Sequence, residues 1–244
     1  VEHCLVKPRA VILDVYETLL EVGPPPPDAE NQWLALWGHY FHQPPPLSLA
    51  EFGLTCERWI REEHAQAHVR GIPFPEVYWP RIACLTAPDL AALEPAALEA
   101  FLVAQARIWH RVRLAEGAAE TLRWLRGQGL YLGIASNAQA YTIAELNDAL
   151  QPVGLDLSLF HPRLQFWSFE HGFSKPDPHV FRLLQARLWA LDVVPEAVLM
   201  VGDSLENDIH PAREHGWQTW HLGDRGAGAD GRWPQLHQAL AGAP

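Results

Sequence analysis

Short, unbroken apolar runs, each followed by a polar segment and then a helical pattern, constrain this chain more than any other feature. Ala10-Val11-Ile12-Leu13 is the first and Leu130-Tyr131-Leu132-Gly133-Ile134-Ala135 the second. Others follow at 164–169, at Ala197-Val198-Leu199-Met200-Val201 and at 218–222. A strand that is apolar on both faces belongs inside a sheet covered on both sides, the habit of parallel sheets. Stretches 118–126, 141–150, 178–188, 208–215 and 234–240 read as the covering helices. The sequence therefore predicts an α/β fold, a parallel sheet with helices on both faces. Right-handed crossovers would bring all strand C-terminal ends to one rim, where such sheets bind ligands.

A second kind of sequence interrupts this pattern. Proline runs at 24–27 and 44–46 break the chain twice. Around and beyond them the apolar spacing is helical: Trp33, Leu34, Trp37 and Phe41, then Phe52, Trp59 and Ile60, then Leu98, Phe101, Leu102 and Ile108. No strand-like alternation is read between 28 and 112. The expected organisation is an α/β core of residues 1–22 and 113–244, with a small all-helical domain, 23–112, inserted in it. The tryptophans Trp33, Trp37, Trp59, Trp79 and Trp109 are read as filling an interior or an interface, and Met200 as core.

Charge narrows the partners. Eighteen Lys and Arg against 29 Asp and Glu leave a net charge of −11. No basic stripe offers itself to nucleic acid, and anionic lipid surfaces are repelled. No apolar run approaches the ~18 residues that span a bilayer. The three cysteines, Cys4, Cys56 and Cys84, form neither a disulfide framework nor a metal knuckle, so a reducing, cytoplasmic setting is expected. An anionic substrate would have to be met by a local cation. Lys7 and Lys175 are the only lysines, against 16 arginines, which marks Lys175 as a compact ammonium chosen where Arg would not serve.

The polar residues just past each strand carry the chemistry. Asp14-Val15-Tyr16-Glu17-Thr18 follows the first run, Ser136-Asn137 the second, Lys175-Pro176-Asp177-Pro178 the third and Gly202-Asp203-Ser204-Leu205-Glu206-Asn207-Asp208 the fourth. Asp14 can attack as a nucleophilic carboxylate. Asp14, Asp203 and Asp208 offer the hard oxygen ligands that Mg²⁺ prefers. Lys175 can neutralise nucleophile and substrate alike, and Ser136 can donate to a transferring group. Each has a plainer role when taken alone: Asp14 as a solvated strand end, Ser136 and Thr18 as caps, Asp208 as first-turn decoration of a helix. Their occurrence together, on successive strand ends, favours a site.

In order and wording these segments resemble the haloacid dehalogenase superfamily: an Asp nucleophile followed by Thr, then Ser, then Lys, then Gly-Asp-x₄-Asp. The resemblance covers about 1–22 and 113–244. It implies a Rossmann-like core with the helical insertion as a cap, catalysis by Asp14, Lys175 and Ser136, substrate contacts from Ser136, Asn137, Lys175 and Thr18, and Mg²⁺ held by Asp14, Asp203, Asp208 and the backbone carbonyl of Tyr16. Phosphatases of this family usually have a second Asp, an acid/base, where this chain has Tyr16. That tyrosine is similar to the dehalogenase branch. Asp203, Phe181 and the lack of any Arg between residues 10 and 57 are not.

The balance favours a Mg²⁺-dependent phosphatase of a small phosphorylated metabolite. A haloacid dehalogenase acting through an aspartyl ester and a metabolite-binding module of low turnover remain the alternatives. Two motif-like stretches are set aside. Gly226-Ala227-Gly228-Ala229-Asp230-Gly231 has too little chain after it for a dinucleotide unit, and His64 and His68 lack the Glu of a zinc-protease helix.

Overall fold

The computed structural model describes residues 5–243, so Cys4 lies outside the described residues. The chain opens with β1 (Ala10–Leu13) and turns into a short strand, β2 (Leu20–Gly23). Four helices follow: α1 (Ala29–Phe41), α2 (Leu49–Val69), α3 (Trp79–Thr86) and α4 (Pro95–Trp109). Strand β3 (Arg111–Leu114) returns to pair antiparallel with β2. Then come α5 (Ala118–Gly127), β4 (Tyr131–Ser136), α6 (Ala140–Leu150), β5 (Gln165–Trp167), α7 (Ser168–His171), α8 (Pro178–Trp189) and β6 (Val198–Gly202). A π-type turn at Leu205–Ile209 leads into α9 (His210–Glu214), and β7 (Gln218–His221) and α10 (Trp233–Ala241) complete the order.

Five strands form one parallel sheet in the order β5-β4-β1-β6-β7. Leu13 is level with Ile134 on one side and Val201 on the other. This register makes the segments after β1, β4 and β6 leave the sheet at the same edge. Strand periodicity divides the core: Val11 and Leu13 pack into one apolar layer, Ala10 and Ile12 into the layer on the opposite face. Met200 is fully buried in the latter.

The helices α1–α4 enclose an apolar cluster of their own, centred on Trp33, Trp37, Phe52 and Phe101, with Trp79 buried beside them and Trp59 and Trp109 packed against it. Ser48 begins α2 with a reciprocal cap: its hydroxyl accepts from Glu51 N while Glu51 accepts from Ser48 N. Pro95 sits in the first turn of α4, where its missing N–H costs no helical hydrogen bond.

The β2–β3 ribbon departs from the sequence expectation, and its strand β3 begins inside the stretch read as helical. Each strand has four residues and only one shielded face, so neither shows a continuous apolar run. Across the pair, Glu21 faces Arg113 and forms an ion pair with it. The stretch 208–215 is also not one helix, because the π-type turn takes its first residues. The glycine-rich 226–231 stretch is a loop before α10, and no described helix is long and apolar enough to cross a membrane.

Candidate active site

Strand β1 delivers Asp14 to the rim, and Asp14 N donates to Val201 O at 3.0 Å, tying the first residue past β1 to β6. The turn beyond it closes tightly, with the amides of Leu19 and Leu20 both on Val15 O at 2.8 Å and Glu17 at φ 54°. From the loop before α8, Lys175 reaches across. Its Nζ lies 2.7 Å from Asp14 Oδ1 and 2.5 Å from Asp208 Oδ1, and the side chain is 2% exposed. Asn137, just past β4, fixes that loop. Lys175 N donates to Asn137 Oδ1 at 2.7 Å, and Asn137 Nδ2 donates to Lys175 O at 2.9 Å.

Asp208 is carried in by the π-type turn after β6, where its second oxygen accepts from Ser204 N at 3.1 Å. Asp203 receives Thr18 Oγ1 at 3.4 Å, and His221 Nε2 donates to its backbone carbonyl at 2.9 Å. One oxygen from each of Asp14, Asp203 and Asp208 lies within 4.8 Å of the others. Ser136, at the end of β4, is 1% exposed and its hydroxyl has no partner among the described residues.

Three carboxylates thus face one ammonium. Burial lifts the Asp14 carboxyl to about 6, with Lys175 opposing and Asp208 and Asp203 adding to the rise. Asp203 is also held above the usual carboxylate range, by burial first and then by Asp208. For Lys175 burial works against the ammonium, but Asp14 and Asp208 outweigh it and hold the group above its ordinary value. The surplus of negative charge on clustered, hard oxygen atoms is the setting a divalent cation relieves, so these residues fit Mg²⁺.

Tyr16 turns its side chain out of this cluster. Its hydroxyl donates to Glu145 Oε2 at 2.6 Å and lies 2.9 Å from Thr142 Oγ1. His110 packs edge-on against the ring, and its Nε2 is 2.9 Å from Glu145 Oε1. Burial, with Glu145 next, pushes the phenol above its ordinary value. Its backbone carbonyl accepts no hydrogen bond among the described residues.

Of the residues expected at the site, Asp14, Lys175 and Asp208 are linked by direct contacts, Asp203 lies within 4.8 Å of both carboxylates, and Thr18 contacts Asp203. Ser136 and Asn137 flank them from β4, and Asn137 spends its amide on the backbone of Lys175. Glu145, Thr142 and His110 were not foreseen, and neither was Glu76. Glu76 accepts from Ser168 Oγ at 2.6 Å and from Gln139 Nε2 and Val77 N at 2.9 Å. Segment 74–79 is further bound to the loop before Lys175, through Glu76 N on Gly172 O and Ser174 N on Phe74 O. Sequence offered no signal for these partners, because every pairing except Glu76 with Val77 joins distant parts of the chain. His64 and His68 lie on α2, remote in sequence from any carboxylate of the cluster.

Comparison with known proteins finds relatives in sequence and in fold. A family model described as haloacid dehalogenase-like hydrolase matches residues 8–216. A glyceraldehyde 3-phosphate phosphatase of Pyrococcus furiosus is 33% identical over 108 residues, 44% of this chain and 41% of that protein. Haloacid dehalogenase-like hydrolase domain-containing protein 3 of Bos taurus is 34% identical over 105 residues, 43% of this chain and 38% of that one. Both matches therefore span less than half of the curated relative. A phosphatase from Thermococcus onnurineus shares the fold at TM-score 0.56 and 23% identity, covering 96% of this chain and 99% of its own. A 2-haloacid dehalogenase from Pseudomonas syringae shares it at TM-score 0.61 and 19% identity, covering 97% and 99%.

Proposed function

The chain belongs to the haloacid dehalogenase-like hydrolase family, and from that membership we propose that it is a Mg²⁺-dependent phosphatase of a small phosphorylated metabolite. The observation that carries this reading is the buried Lys175 ammonium, 2.7 Å from Asp14, inside a cluster of three carboxylates. The partial likeness to a named phosphatase supports it. Unpaired Cys56 and Cys84 suit a cytoplasmic setting.

In this mechanism an Asp14 carboxylate oxygen attacks phosphorus in line. The P–O bond to the leaving group breaks as the bond to Asp14 forms, giving an aspartyl-phosphate, and the leaving oxygen takes a proton from solvent. Water then hydrolyses the acyl phosphate and restores the carboxylate. Lys175 keeps Asp14 ionised despite its burial and neutralises the incoming phosphoryl group. Ser136, with a free hydroxyl, donates to a phosphoryl oxygen. Asn137 holds the Lys175 backbone in place, and Thr18 orients Asp203. Asp14, Asp203 and Asp208, with the Tyr16 carbonyl, would hold Mg²⁺, which when bound supplies charge neutralisation at the phosphoryl oxygens.

The helices between 23 and 112 act in this proposal as a cap on the core of 1–22 and 113–244, excluding bulk water and selecting the substrate. Their strap at 74–79 is bound to the loops carrying Lys175 and Ser136, which supports that placement. Hydrolysis of a chromogenic phosphate monoester with Mg²⁺, abolished by EDTA and by Asp14→Asn, is the expected result. Chloride release from 2-chloropropionate, indifferent to EDTA, would replace this reading with the dehalogenase one.

A further inference from the structure

A cavity of about 420 Å³ lies between α2, α3 and the start of α6, and none of Asp14, Lys175, Asp203 or Asp208 lines it. Three aromatic rings wall it: Trp79, Trp109 and Tyr141. Trp79 stands 5.2 Å from Trp109 at 55° and 6.5 Å from Tyr141 at 81°, centroid to centroid. Rings at such steep angles do not stack on one another; they close a space from different sides. Two carboxylates, Glu57 and Glu76, also line it, with His64 as the one basic side chain of the lining; Glu57 pairs with Arg61 at 3.7 Å.

Two polar atoms in this wall are unsatisfied. Trp79 is only 5% exposed, yet its indole Nε1 is buried without a partner, and His64 Nε2 is in the same condition. A buried N–H left unpaired costs free energy that an acceptor on a bound molecule would recover. Glu76 is held mainly by neutral donors, and burial lifts its carboxyl above the usual range, so a cation beside it would be stabilising. Aromatic faces with carboxylates favour organic cations over anions.

We propose that this cavity binds a small organic cation: a protonated or quaternary amine with an oxygen acceptor a few bonds from the nitrogen. The ammonium group would sit against the ring faces and Glu76, with Glu57 at the outer side, while the oxygen takes the Trp79 indole N–H. This site does not depend on the phosphatase reading, since its lining and the carboxylate cluster share no residue.

The probes are choline and 3,3-dimethylbutan-1-ol, which has nearly the same shape without the charge. Each is titrated into the full chain at constant ionic strength and followed by tryptophan fluorescence and calorimetry. Choline is expected to bind at least about tenfold more tightly than the neutral alcohol. Glu76→Gln should weaken choline by a similar factor and leave the alcohol unchanged. Should Glu76→Gln fail to fold, Glu57→Gln at an exposed position gives the same reading, with a loss of about twofold to threefold. Equal affinity for the two probes, no choline binding at tens of millimolar (about the weakest useful affinity), or choline affinity indifferent to the folded Glu variants would each overturn the proposal.

Discussion

Gly202 leaves the space that the Asp208 carboxylate occupies: a Cβ built on Gly202 would lie 2.3 Å from Asp208 Oδ2 and 2.4 Å from its Cγ. No heavy atoms approach that closely without a bond, so any side chain at 202 must push Asp208 away. Asp208 in turn holds the same Lys175 ammonium that contacts Asp14. Gly202→Ala should therefore damage the site through geometry alone. We expect turnover to fall by about 10²-fold, the usual effect of misplacing a catalytic group by an ångström. The fold should survive with a loss of about 1–3 kcal/mol from overpacking. Chromogenic phosphatase assays and thermal melts on the same preparation check both. An alanine variant with wild-type turnover would refute the coupling.

Asp14 makes stability depend on pH. Its carboxyl titrates at about 6 in the fold against an ordinary 3.8. Between those values the folded chain holds a proton that the unfolded chain has released. The Asp14 contribution to stability is therefore highest at low pH and is lost as pH rises from 4 through 6. In EDTA, wild type should lose stability relative to Asp14→Asn by about 2–3 kcal/mol between pH 4 and pH 7. Mg²⁺ at pH 7 should recover most of that loss in wild type and little in the variant. Urea melts across this range test the sign, and parallel pH profiles for the two proteins would contradict it.

How much of this was legible in the sequence follows from where each residue's partners lie. Strands β1, β4 and β6 announce themselves because they are buried on both faces along nearly all their length, which makes them almost continuously apolar. Asp14, Ser136 and Asp203 are legible in consequence, as the first polar residues where those runs end. The β2–β3 ribbon is not, because Arg111 and Arg113 face solvent and the two strands lie far apart in the chain. Nor is the direction of the Tyr16 side chain, which is set by Thr142 and Glu145, 126 and 129 residues downstream. The Glu76 contacts with Gln139 and Ser168 are hidden for the same reason.

Lys175 is the only cation in contact with Asp14 and Asp208 among the described residues, and it is buried with them. Removing it leaves two carboxylates desolvated and unpaired, a change that costs about 3–5 kcal/mol when one partner of a buried pair is deleted. Lys175→Ala should therefore be both inactive and destabilised. Lys175→Arg keeps the charge, but the guanidinium is bulkier and planar, while the position is 2% exposed. We expect Lys175→Arg to fold better than Lys175→Ala, to bind Mg²⁺, and to remain at least about 10²-fold slower than wild type. Full activity in the arginine variant would show that the site needs only a positive charge there.

Tyr16 spends its hydroxyl on Glu145 and Thr142, so the tyrosine does not pass a proton to the leaving oxygen. An aspartate there is too short to reach Glu145 and would leave its carboxyl beside the site. Tyr16→Asp should raise phosphate-ester turnover, by up to the ~10²-fold at the lower end of general acid–base help. The gain should be largest for alkyl phosphates, whose leaving oxygen most needs the proton, and small for aryl phosphates. Tyr16→Phe is the control: it removes the hydrogen bonds at a cost of about 1–2 kcal/mol in stability and adds no acid. A Tyr16→Asp protein that folds, binds Mg²⁺ and shows no gain on alkyl phosphates would mean that the slow step lies elsewhere than in proton transfer.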